Sequence, residues 1–497
     1  MRIVDGTTQM RLDDGRPDAG IQIQAVALAF DRATHLGFGH SPGVRERKRE
    51  ARESVPTHPV IDPVIIHTPL DPGTIVVFAA AFGAIVFASV RRPSYGVVAL
   101  IALLPFGFPH YIGDTTIGLD KVALLANAAG LLLGRRDARV LGGNTARVLL
   151  ACGVGVVVAT ALSIVDAHYR APVLRETLKA AQYVALFAVV LIAVAADAND
   201  RARRIALVAT TIVVSVLALA QELIGAPSGL WYDNFPIPRI AGPLEGPNQL
   251  AAYLGLLLAV ITAYAIRRPK APFELVALGL GSAALVLTIS RAGVAASLAG
   301  IIVVLVASKG SERRRAVLAV AGGAIAGCAV IASWGFTAAR SFQGVKVLDR
   351  FGSAAPTNAP ASLGTREQLW HAALFLWRTH PIFGIGAGNF ERELGIAGFP
   401  QLHTHANSLY LQALAEGGIV LAVATIALVF VSIAAFARGP FSAPLVAGAL
   451  GASIGLAAHQ VFDLLVFFPK VGETWWIVLA LGAARLDRGA DQGDDPA

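Results

Sequence analysis

Hydrophobic residues along the chain come in long blocks that are separated by short polar or basic segments. Four examples, 75–90, 148–165, 181–196 and 205–223, contain few or no charged residues. Each block approaches the roughly 20 apolar residues that an α-helix needs to cross a bilayer. The runs are continuous and do not alternate with polar residues, so they predict helices and exclude a transmembrane β-barrel.

The spacing of these blocks predicts an all-α polytopic membrane protein with about 12–13 transmembrane helices. The transmembrane domain covers 73–488, after a polar and largely disordered tail at 1–72 and before a short polar tail at 489–497. The predicted spans are 74–90, 94–108, 118–134, 147–165, 178–196, 203–224, 248–267, 272–289, 291–307, 315–334, 408–437, 442–464 and 473–486.

Basic residues collect at alternate ends of these spans, which is the positive-inside pattern of loops that face the cytoplasm. This assignment puts the C-terminus inside and leaves two longer loops, 225–247 and 335–407, on the periplasmic side. The same alternation places the N-terminal tail outside, whereas its own basic run at 45–53 argues for the inside, so the N-terminal orientation stays open. The basic pairs and triplet are Arg91-Arg92, Arg135-Arg136, Arg203-Arg204, Arg267-Arg268 and Arg313-Arg314-Arg315.

The composition agrees with a membrane protein, because hydrophobic residues make up 55% of the chain, charged residues 15%, and the mean hydropathy is +0.63. A water-soluble protein carries about a quarter charged residues. The net charge of +8 comes from residues at helix ends, so it indicates orientation in a lipid bilayer and does not favour nucleic acid as a partner.

The periplasmic loop 335–407 is much longer than an ordinary connection, and such loops are usually functional or disordered. Here Thr365 can N-cap a helix that runs to about His380, before Pro381. Its pattern predicts an amphipathic helix that lies on the membrane surface or over a cavity. The apolar face holds Leu369, Trp370, Ala373, Leu376 and Trp377, and the polar face holds Glu367, His371 and Arg378.

Arginines on the periplasmic side run against the positive-inside rule. Arg291 follows Ser290 inside the otherwise apolar run 272–307, where a guanidinium costs several kcal/mol unless it is paired or faces a polar cavity. The alternative is a turn from which the side chain reaches the membrane surface. Arg239 lies in a segment rich in proline and glycine that ends at Asn248, a candidate cap for the next helix. The other periplasmic arginines are Arg340, Arg350 and Arg366.

Two histidines, His403 and His405, precede the helix at 408–437. They lack the spacing of a metal site, and no cysteine or carboxylate cluster completes a ligand set, so a general base is the better interpretation. An interfacial histidine without a role is the alternative. Glu416 and Asp463 lie in or near membrane helices, where we expect each to pair with a periplasmic arginine. The glycine-rich segment 384–390 lacks the context of a phosphate-binding loop and predicts a tight turn.

In their order along the chain, several short segments resemble the family of O-antigen ligases and O-antigen polymerases (Wzy C-terminal type), which are membrane glycosyltransferases. The resemblance covers roughly 230–420 and departs from the family where Ala406 separates His405 from Asn407. The matching segments are Arg239…Gly242-Pro243…Pro247-Asn248, Leu287-Thr-Ile-Ser-Arg291, Gly364-Thr-Arg366…Trp370, Pro381-Ile-Phe-Gly-Ile-Gly-Ala-Gly-Asn-Phe390 and His405-Ala-Asn407-Ser-Leu-Tyr-Leu-Gln412…Glu416-Gly-Gly418.

The resemblance implies a GT-C-like fold and transfer of a glycan from an undecaprenyl-diphosphate carrier on the periplasmic face of the inner membrane. The acceptor is lipid A core, a growing polysaccharide or a protein hydroxyl, and the sequence does not separate these three. The resemblance also implies catalysis without a metal or another cofactor. A polytopic transporter, related to bicarbonate or polysaccharide carriers, is the alternative, although neither an internal repeat nor a broken helix is evident.

Roles for single residues follow from the resemblance and from the chemistry of a diphosphate leaving group. Arg239, Arg291 and Arg366 would bind the diphosphate, since guanidinium forks match phosphate oxygens, and Arg366 would also act in catalysis. His405 would be the general base for the acceptor hydroxyl. Supporting roles fall to His403, Asn407, Glu416 and Asn248.

Overall fold

A computed structural model describes residues 71–107, 110–112, 115–136, 143–224, 239–268, 271–307, 313–336, 360–400, 402 and 404–491. The predicted N-terminal tail up to residue 70, the segment 337–359 with Arg340 and Arg350, and His403 lie outside these residues. Every predicted span corresponds to a helix, so the all-α prediction is confirmed.

The helices that correspond to the predicted spans begin and end close to the predicted boundaries. In chain order they are α1 (Pro72–Arg91), α2 (Pro93–Leu103), α3 (Leu119–Leu133), α4 (Asn144–Leu162), α5 (Arg170–Ala196), α6 (Asp200–Ile224), α7 (Pro247–Arg267), α8 (Pro272–Leu287), α9 (Arg291–Ala307), α10 (Arg313–Phe336), α13 (Leu409–Ala437), α14 (Pro444–His459) and α15 (Pro469–Asp491). Two further helices, α11 (Pro360–Thr379) and α12 (Phe390–Glu393), lie within the long loop predicted at 335–407.

A small β-hairpin, which the apolar pattern did not indicate, joins α2 to α3. Its strands, β1 (His110–Ile112) and β2 (Thr115–Ile117), pair antiparallel with Tyr111 opposite Thr116. Strands of three residues are too short to give a recognisable alternation in the sequence.

By length and composition, six helices of the described chain are candidate membrane spans: α1, α4, α5, α6, α7 and α13. The apolar helices α2, α8, α9 and α14 are shorter. Hydrophobic side chains cover the outside of the bundle, and only 11% of the apolar window of α1 is buried, against 89% for the central helix α7. An apolar exterior of this kind is what a bilayer requires, so the chain is a multi-pass membrane protein.

The basic connections meet at one end of the bundle, as the alternation of charges predicts. Arg203 on α6 donates a 2.8 Å hydrogen bond to the hydroxyl of Ser94 on α2. Asp487 on α15 accepts the backbone N–H groups of Thr145 and Ala146, both at 3.0 Å, and so caps the first turn of α4. We call this end the basic end. The opposite end, which holds 163–169, 239–246, 288–290, 380–390, 405–408 and 460–468, is called the loop end.

Small residues let α9 and α14 approach each other closely. A Cβ on Gly300 would lie 2.5 Å from the carbonyl oxygen of Gly451, and a Cβ on Gly455 would lie 2.8 Å from that of Ala296. Close backbone approach at small residues is a common way for membrane helices to associate. This contact brings the start of α9, at Arg291, beside the end of α14 at the loop end.

The chain divides into two compact units. One contains the described residues 391–400, 402 and 404, where a turn is closed by the N–H of Phe399 bonding to the carbonyl of Leu394 at 2.9 Å. The other contains all the helices named above except the greater part of α12, and we call it the helical body. The site described next lies in the helical body.

Candidate functional site

A chain of hydrogen bonds at the loop end links Arg239, Asn248 and Asp463. The guanidinium Nη2 of Arg239 donates to Oδ1 of Asn248 at 2.8 Å, and Nδ2 of Asn248 donates to Oδ2 of Asp463 at 2.7 Å. The second carboxylate oxygen of Asp463 accepts the N–H of Leu464 at 2.9 Å. Asp463 is buried, with 5% of its surface exposed. Asp463 therefore contacts Arg239 indirectly, through the side-chain amide of Asn248, and the bonds described here do not form the direct ion pair that was predicted.

Asn248 does not cap its helix as predicted. Helix α7 begins one residue earlier, at Pro247, and Gly246 occupies the N-cap position without a side-chain bond. Proline is well suited to the first helical position, because its missing N–H would have no partner there in any case. The amide of Asn248 is thus free to bridge the two charged groups.

Arg239 also holds the turn that leads into Arg291. Its Nε donates to the carbonyl of Thr288 at 2.7 Å, and the next residue, Ile289, has a φ of 51° in the left-handed region. A β-branched residue rarely adopts this conformation, so the surrounding contacts must hold it in place. The predicted turn before Arg291 is present, and the bond from Arg239 anchors it. Whether the guanidinium of Arg291 reaches the membrane surface stays a prediction.

Arg291 is the first residue of α9 and is exposed at the loop end. Within the described part of the chain, it has no hydrogen-bond or ion-pair partner. A cation at a helix N-terminus is unfavourable, because the helix dipole already places partial positive charge there. The hydroxyl of Ser290 accepts the N–H of Gly293 at 3.3 Å. The positive end of the helix and the guanidinium together form a setting that attracts an anion.

Arg366 lies on α11, the helix predicted within the periplasmic loop. That helix begins at Pro360 and not after Thr365, so the predicted N-cap is wrong; a proline can open a helix at that earlier position. Leu369, Ala373 and Leu376 are buried, whereas Glu367 and His371 are exposed, so the predicted apolar face is confirmed.

Helix α11 packs on α13 and brings Arg366 to the end of α14. Arg366 is half-buried and, among the described residues, has no hydrogen-bond or ion-pair partner. It lies close enough to His459 to act on it electrostatically. The ring of Trp370, one turn along α11, lies 6.1 Å from that of Phe462 in the connection after α14.

His459 is a site residue that the sequence analysis missed. It ends α14, is only 2% exposed, and its Nε2 has no hydrogen-bond partner in the described structure. Its ring packs against Gly293 in the first turn of α9, where an added Cβ would lie 3.0 Å from His459 Cε1. Asp463, four residues later, and Arg366 are its charged neighbours. The sequence signal that could have identified His459 is a histidine at the end of an apolar helix with an aspartate four residues later.

His405 lies at the loop end on an aromatic support. Its ring stacks on Phe467 with 5.8 Å between centroids and meets Phe468 edge-on at 5.9 Å. The ammonium group of Lys179 lies 3.5 Å from the centroid of the Phe467 ring. Asn407, with a φ of 49°, forms the turn between His405 and α13, a conformation that asparagine tolerates better than most residues.

Residues 381–390, which we call the glycine loop, fill a break in α13. Gly418 has a φ of 61° and a ψ of −160°, which interrupts the helix. The N–H groups of Ile385 and Gly386 donate to the carbonyls of Ala415 and Glu416 at 3.0 and 2.8 Å, and the N–H of Ile419 donates to the carbonyl of Pro381 at 2.9 Å. Backbone groups that the break frees are thereby satisfied by the loop.

Glycine is required where the loop and the break touch. A Cβ on Gly384 would lie 2.3 Å from the backbone carbon of Glu416, and a Cβ on Gly418 would lie 2.2 Å from the carbonyl oxygen of Ile382. Both residues also have positive φ angles, which side-chain-bearing residues rarely adopt. The glycine loop is therefore a tight turn, as predicted, and its amides are committed to the protein.

Among the described residues, Glu416 has no arginine partner, so the predicted pairing with an arginine is not found there. Its side chain is buried, and Oε1 accepts the N–H of Phe390 at 3.0 Å. The backbone N–H of Phe390, at the end of the glycine loop, lies beside the break in α13 and donates to this carboxylate. Glu416 consequently holds the loop in place.

Residues 275–426 match the family model described as O-antigen ligase. The chain carries an O-antigen ligase domain. No curated protein matches the chain.

The O-antigen ligase domain contains Arg291, Arg366, His405 and Glu416. The Arg239–Asn248–Asp463 chain and His459 lie outside the matched range, yet they contact the turns and helices at which the domain's arginines lie. The loop-end site is therefore assembled from the O-antigen ligase domain and from segments on both sides of it.

Among the described residues, no group of three or more His, Cys, Asp or Glu has the arrangement to hold a metal ion. Positive charge at the loop end comes from Arg239, Arg291 and Arg366 and from the ammonium groups of Lys179 and Lys470.

Proposed function

We propose that the protein is a membrane transferase that moves a glycan from an undecaprenyl-diphosphate carrier to an acceptor on the periplasmic face of the inner membrane. The main observation that supports this proposal concerns Arg291 and Arg366, both within the O-antigen ligase domain. They lie at the loop end and have no hydrogen-bond or ion-pair partner among the described residues. Unpaired guanidiniums are costly in a membrane protein unless an anion meets them.

Each arginine has a defined part in this proposal. Arg291 and Arg366 bind oxygens of the diphosphate, and Arg239 completes the set while holding the Thr288 turn in front of Arg291. Negative charge grows on the diphosphate as the glycosidic bond breaks. Positioned guanidiniums stabilise that charge in the transition state, so no metal ion takes part.

His405 acts as the general base. It accepts the proton of the acceptor hydroxyl as the oxygen attacks the anomeric carbon, a contribution of typically 10²–10⁴-fold in rate. Phe467 and Phe468 hold the imidazole at the loop end. Asn407, Glu416 and Asn248 support the site, Asn407 through its turn, Glu416 through the glycine loop and Asn248 through Arg239 and Asp463. His403 lies outside the described residues, and its supporting role stays a prediction.

The test is glycan transfer by the purified full-length protein from an undecaprenyl-diphosphate-linked glycan. We expect Arg366→Ala to lower the rate by roughly 10²–10³-fold and His405→Ala by roughly 10²–10⁴-fold. Two exposed residues of α11, Arg378 and His371, provide matched alanine controls that keep the unmutated rate. Unchanged transfer in both Arg366→Ala and His405→Ala would show that these residues are not the catalytic machinery.

One observation bears on the transporter alternative. The break in α13 resembles the discontinuous helices with which transporters bind substrates and ions near the bilayer midplane. In this protein, the backbone groups of Ala415, Glu416 and Ile419 bond to the glycine loop, and so they are not available to a solute. Solute uptake into proteoliposomes without any glycan transfer would favour the transporter instead.

A further inference from the structure

His459, at the end of α14, lies where the arginine-bearing segments of the loop end meet. Its ring packs against Gly293 in the first turn of α9, where an added Cβ would lie 3.0 Å from His459 Cε1. Arg366 on α11 is close enough to act on the imidazole electrostatically. Asp463, which ends the hydrogen-bonded chain from Arg239, is its other charged neighbour. The imidazole therefore lies among the groups that the proposed function assigns to the diphosphate.

The Nε2 atom of this histidine is buried and has no hydrogen-bond partner among the described residues. Only 2% of the surface of His459 is exposed. The carboxylate of Asp463 does not supply the bond, because its oxygens accept from the side-chain amide of Asn248 and from the N–H of Leu464. A buried polar atom without a partner costs free energy unless a ligand or an ordered water completes its hydrogen bond.

Contacts with two other helices fix the position of this imidazole. At the end of α14, the carbonyl of Gln460 accepts the N–H of Leu409 and the carbonyl of Ala457 accepts the hydroxyl of Tyr410, both at 3.0 Å, so α13 holds this end in place. On α9, Gly293 has no side chain to separate the ring from the helix. A group that is fixed before its ligand arrives loses less conformational freedom when the ligand binds.

The neighbours of Nε2 determine the kind of ligand that it can take. The guanidinium of Arg366 only donates hydrogen bonds, and the first turn of α9 is the positive end of a helix dipole. An anion is the ligand that this guanidinium, this helix end and an imidazole N–H can all bind together. Ionised phosphate oxygens accept hydrogen bonds and do not donate them, so they select the form of His459 that carries a hydrogen on Nε2.

We propose that His459 is a further diphosphate-binding residue, whose buried Nε2–H donates a hydrogen bond to an oxygen of the carrier diphosphate where α9 and α11 meet α14. This inference rests on the proposed function. It adds to Arg291 and Arg366 a donor that lies outside the matched O-antigen ligase range. Because protein encloses this N–H, water competes little for its hydrogen bond, which is stronger than a bond at an exposed site.

The test exchanges the imidazole for side chains that keep or remove an N–H. His459→Gln retains a donor of similar reach, whereas His459→Leu has a similar volume and no donor. Ser215→Ala on α6 is the matched control, because it also removes a fully buried polar atom that lacks a partner in the described structure. The full-length proteins are purified in detergent. Thermal unfolding is followed without ligand, in a titration with undecaprenyl diphosphate, and in a titration with undecaprenol, which has no phosphate.

We expect ligand-free His459→Leu to melt at the unmutated temperature or above it, because it removes an unsatisfied polar atom. Its affinity for undecaprenyl diphosphate should fall by about 10–100-fold, the range for a hydrogen bond to a charged group. The KM for the glycan donor should rise by a similar factor. His459→Gln should retain most of the affinity, Ser215→Ala should retain all of it, and undecaprenol should bind the four proteins alike.

Equal affinity of His459→Leu and the unmutated protein for undecaprenyl diphosphate would overturn the assignment; this result is expected if an enclosed water satisfies Nε2 in every state. A lower melting temperature of ligand-free His459→Leu would also overturn it, since the histidine would then support the fold. Both results leave the proposed function intact as long as the unmutated protein binds undecaprenyl diphosphate and transfers the glycan. If the unmutated protein failed to do so, the proposed function would fail, and the role of His459 with it.

Discussion

The hydrogen-bonded chain through Asn248 gives a prediction whose size follows from the structure. Asn248→Ala removes the acceptor of a 2.8 Å bond from Arg239 and the donor of a 2.7 Å bond to Asp463. Hydrogen bonds to charged groups contribute about 1.5–3 kcal/mol each. Arg239 is only half-buried, so water can replace part of its lost bond, whereas the carboxylate of Asp463 is almost completely enclosed. We therefore expect a loss of stability of about 3 kcal/mol.

The same substitution should slow transfer. Arg239 without Asn248 holds the Thr288 turn less firmly, and that turn positions Arg291. If 1–2 kcal/mol of transition-state stabilisation is lost in this way, kcat/KM falls by about 5–30-fold. The assays are thermal unfolding of the purified protein and transfer kinetics with the undecaprenyl-diphosphate-linked donor.

Asn127 on α3 provides a matched control. It is fully buried, and both polar atoms of its side chain lack hydrogen-bond partners in the described structure. Its replacement by alanine removes an unsatisfied amide, so we expect a stability change within about 1 kcal/mol and unchanged kinetics. The reasoning would be refuted if Asn248→Ala and Asn127→Ala gave the same melting temperature and the same kcat/KM.

Two further predictions concern the break in α13 and the start of α9. Gly418→Ala should lower the melting temperature strongly, because Gly418 has a positive φ and an added Cβ would lie 2.2 Å from the carbonyl oxygen of Ile382. Gly322→Ala is the control. Nothing lies within 4 Å of its added Cβ, so the melting temperature should stay the same or rise. Equal melting temperatures of these two variants would contradict the described break. Arg291→Gln should raise the KM for the donor on the order of tenfold while stability is unchanged, because no bond within the described protein is lost. An unaltered donor KM would remove Arg291 from the diphosphate site.

The helices were predictable because their signal is local. An apolar block needs no information from elsewhere in the chain to indicate a membrane helix, and proline fixes many of the starts, as at Pro247 and Pro272. The break at Gly418 gave no such signal, since glycine occurs within an apolar run and the pairing backbone lies in the glycine loop. A helix interruption that is satisfied by a distant segment becomes visible only in three dimensions.

The candidate site was predictable in part for the same reason. Arg291 and Arg366 could be selected because an arginine in a segment predicted to be periplasmic breaks the positive-inside rule. The bridge from Asn248 to Asp463 spans 215 residues, and no spacing rule anticipates it. His459 was missed because its spacing to Asp463 is a weak signal on its own. Its importance lies in its neighbours Gly293 and Arg366, which come from distant parts of the chain.

The pairing of the glycine loop with α13 bears on how the chain is assembled. Residues 381–390 leave the ribosome before Leu409–Ala437, so the partner of the break exists before the break itself is synthesised. A helix that entered the bilayer with unsatisfied amides would pay several kcal/mol for each of them. Placement of α13 in the bilayer with its backbone groups satisfied therefore requires that the glycine loop reach the break.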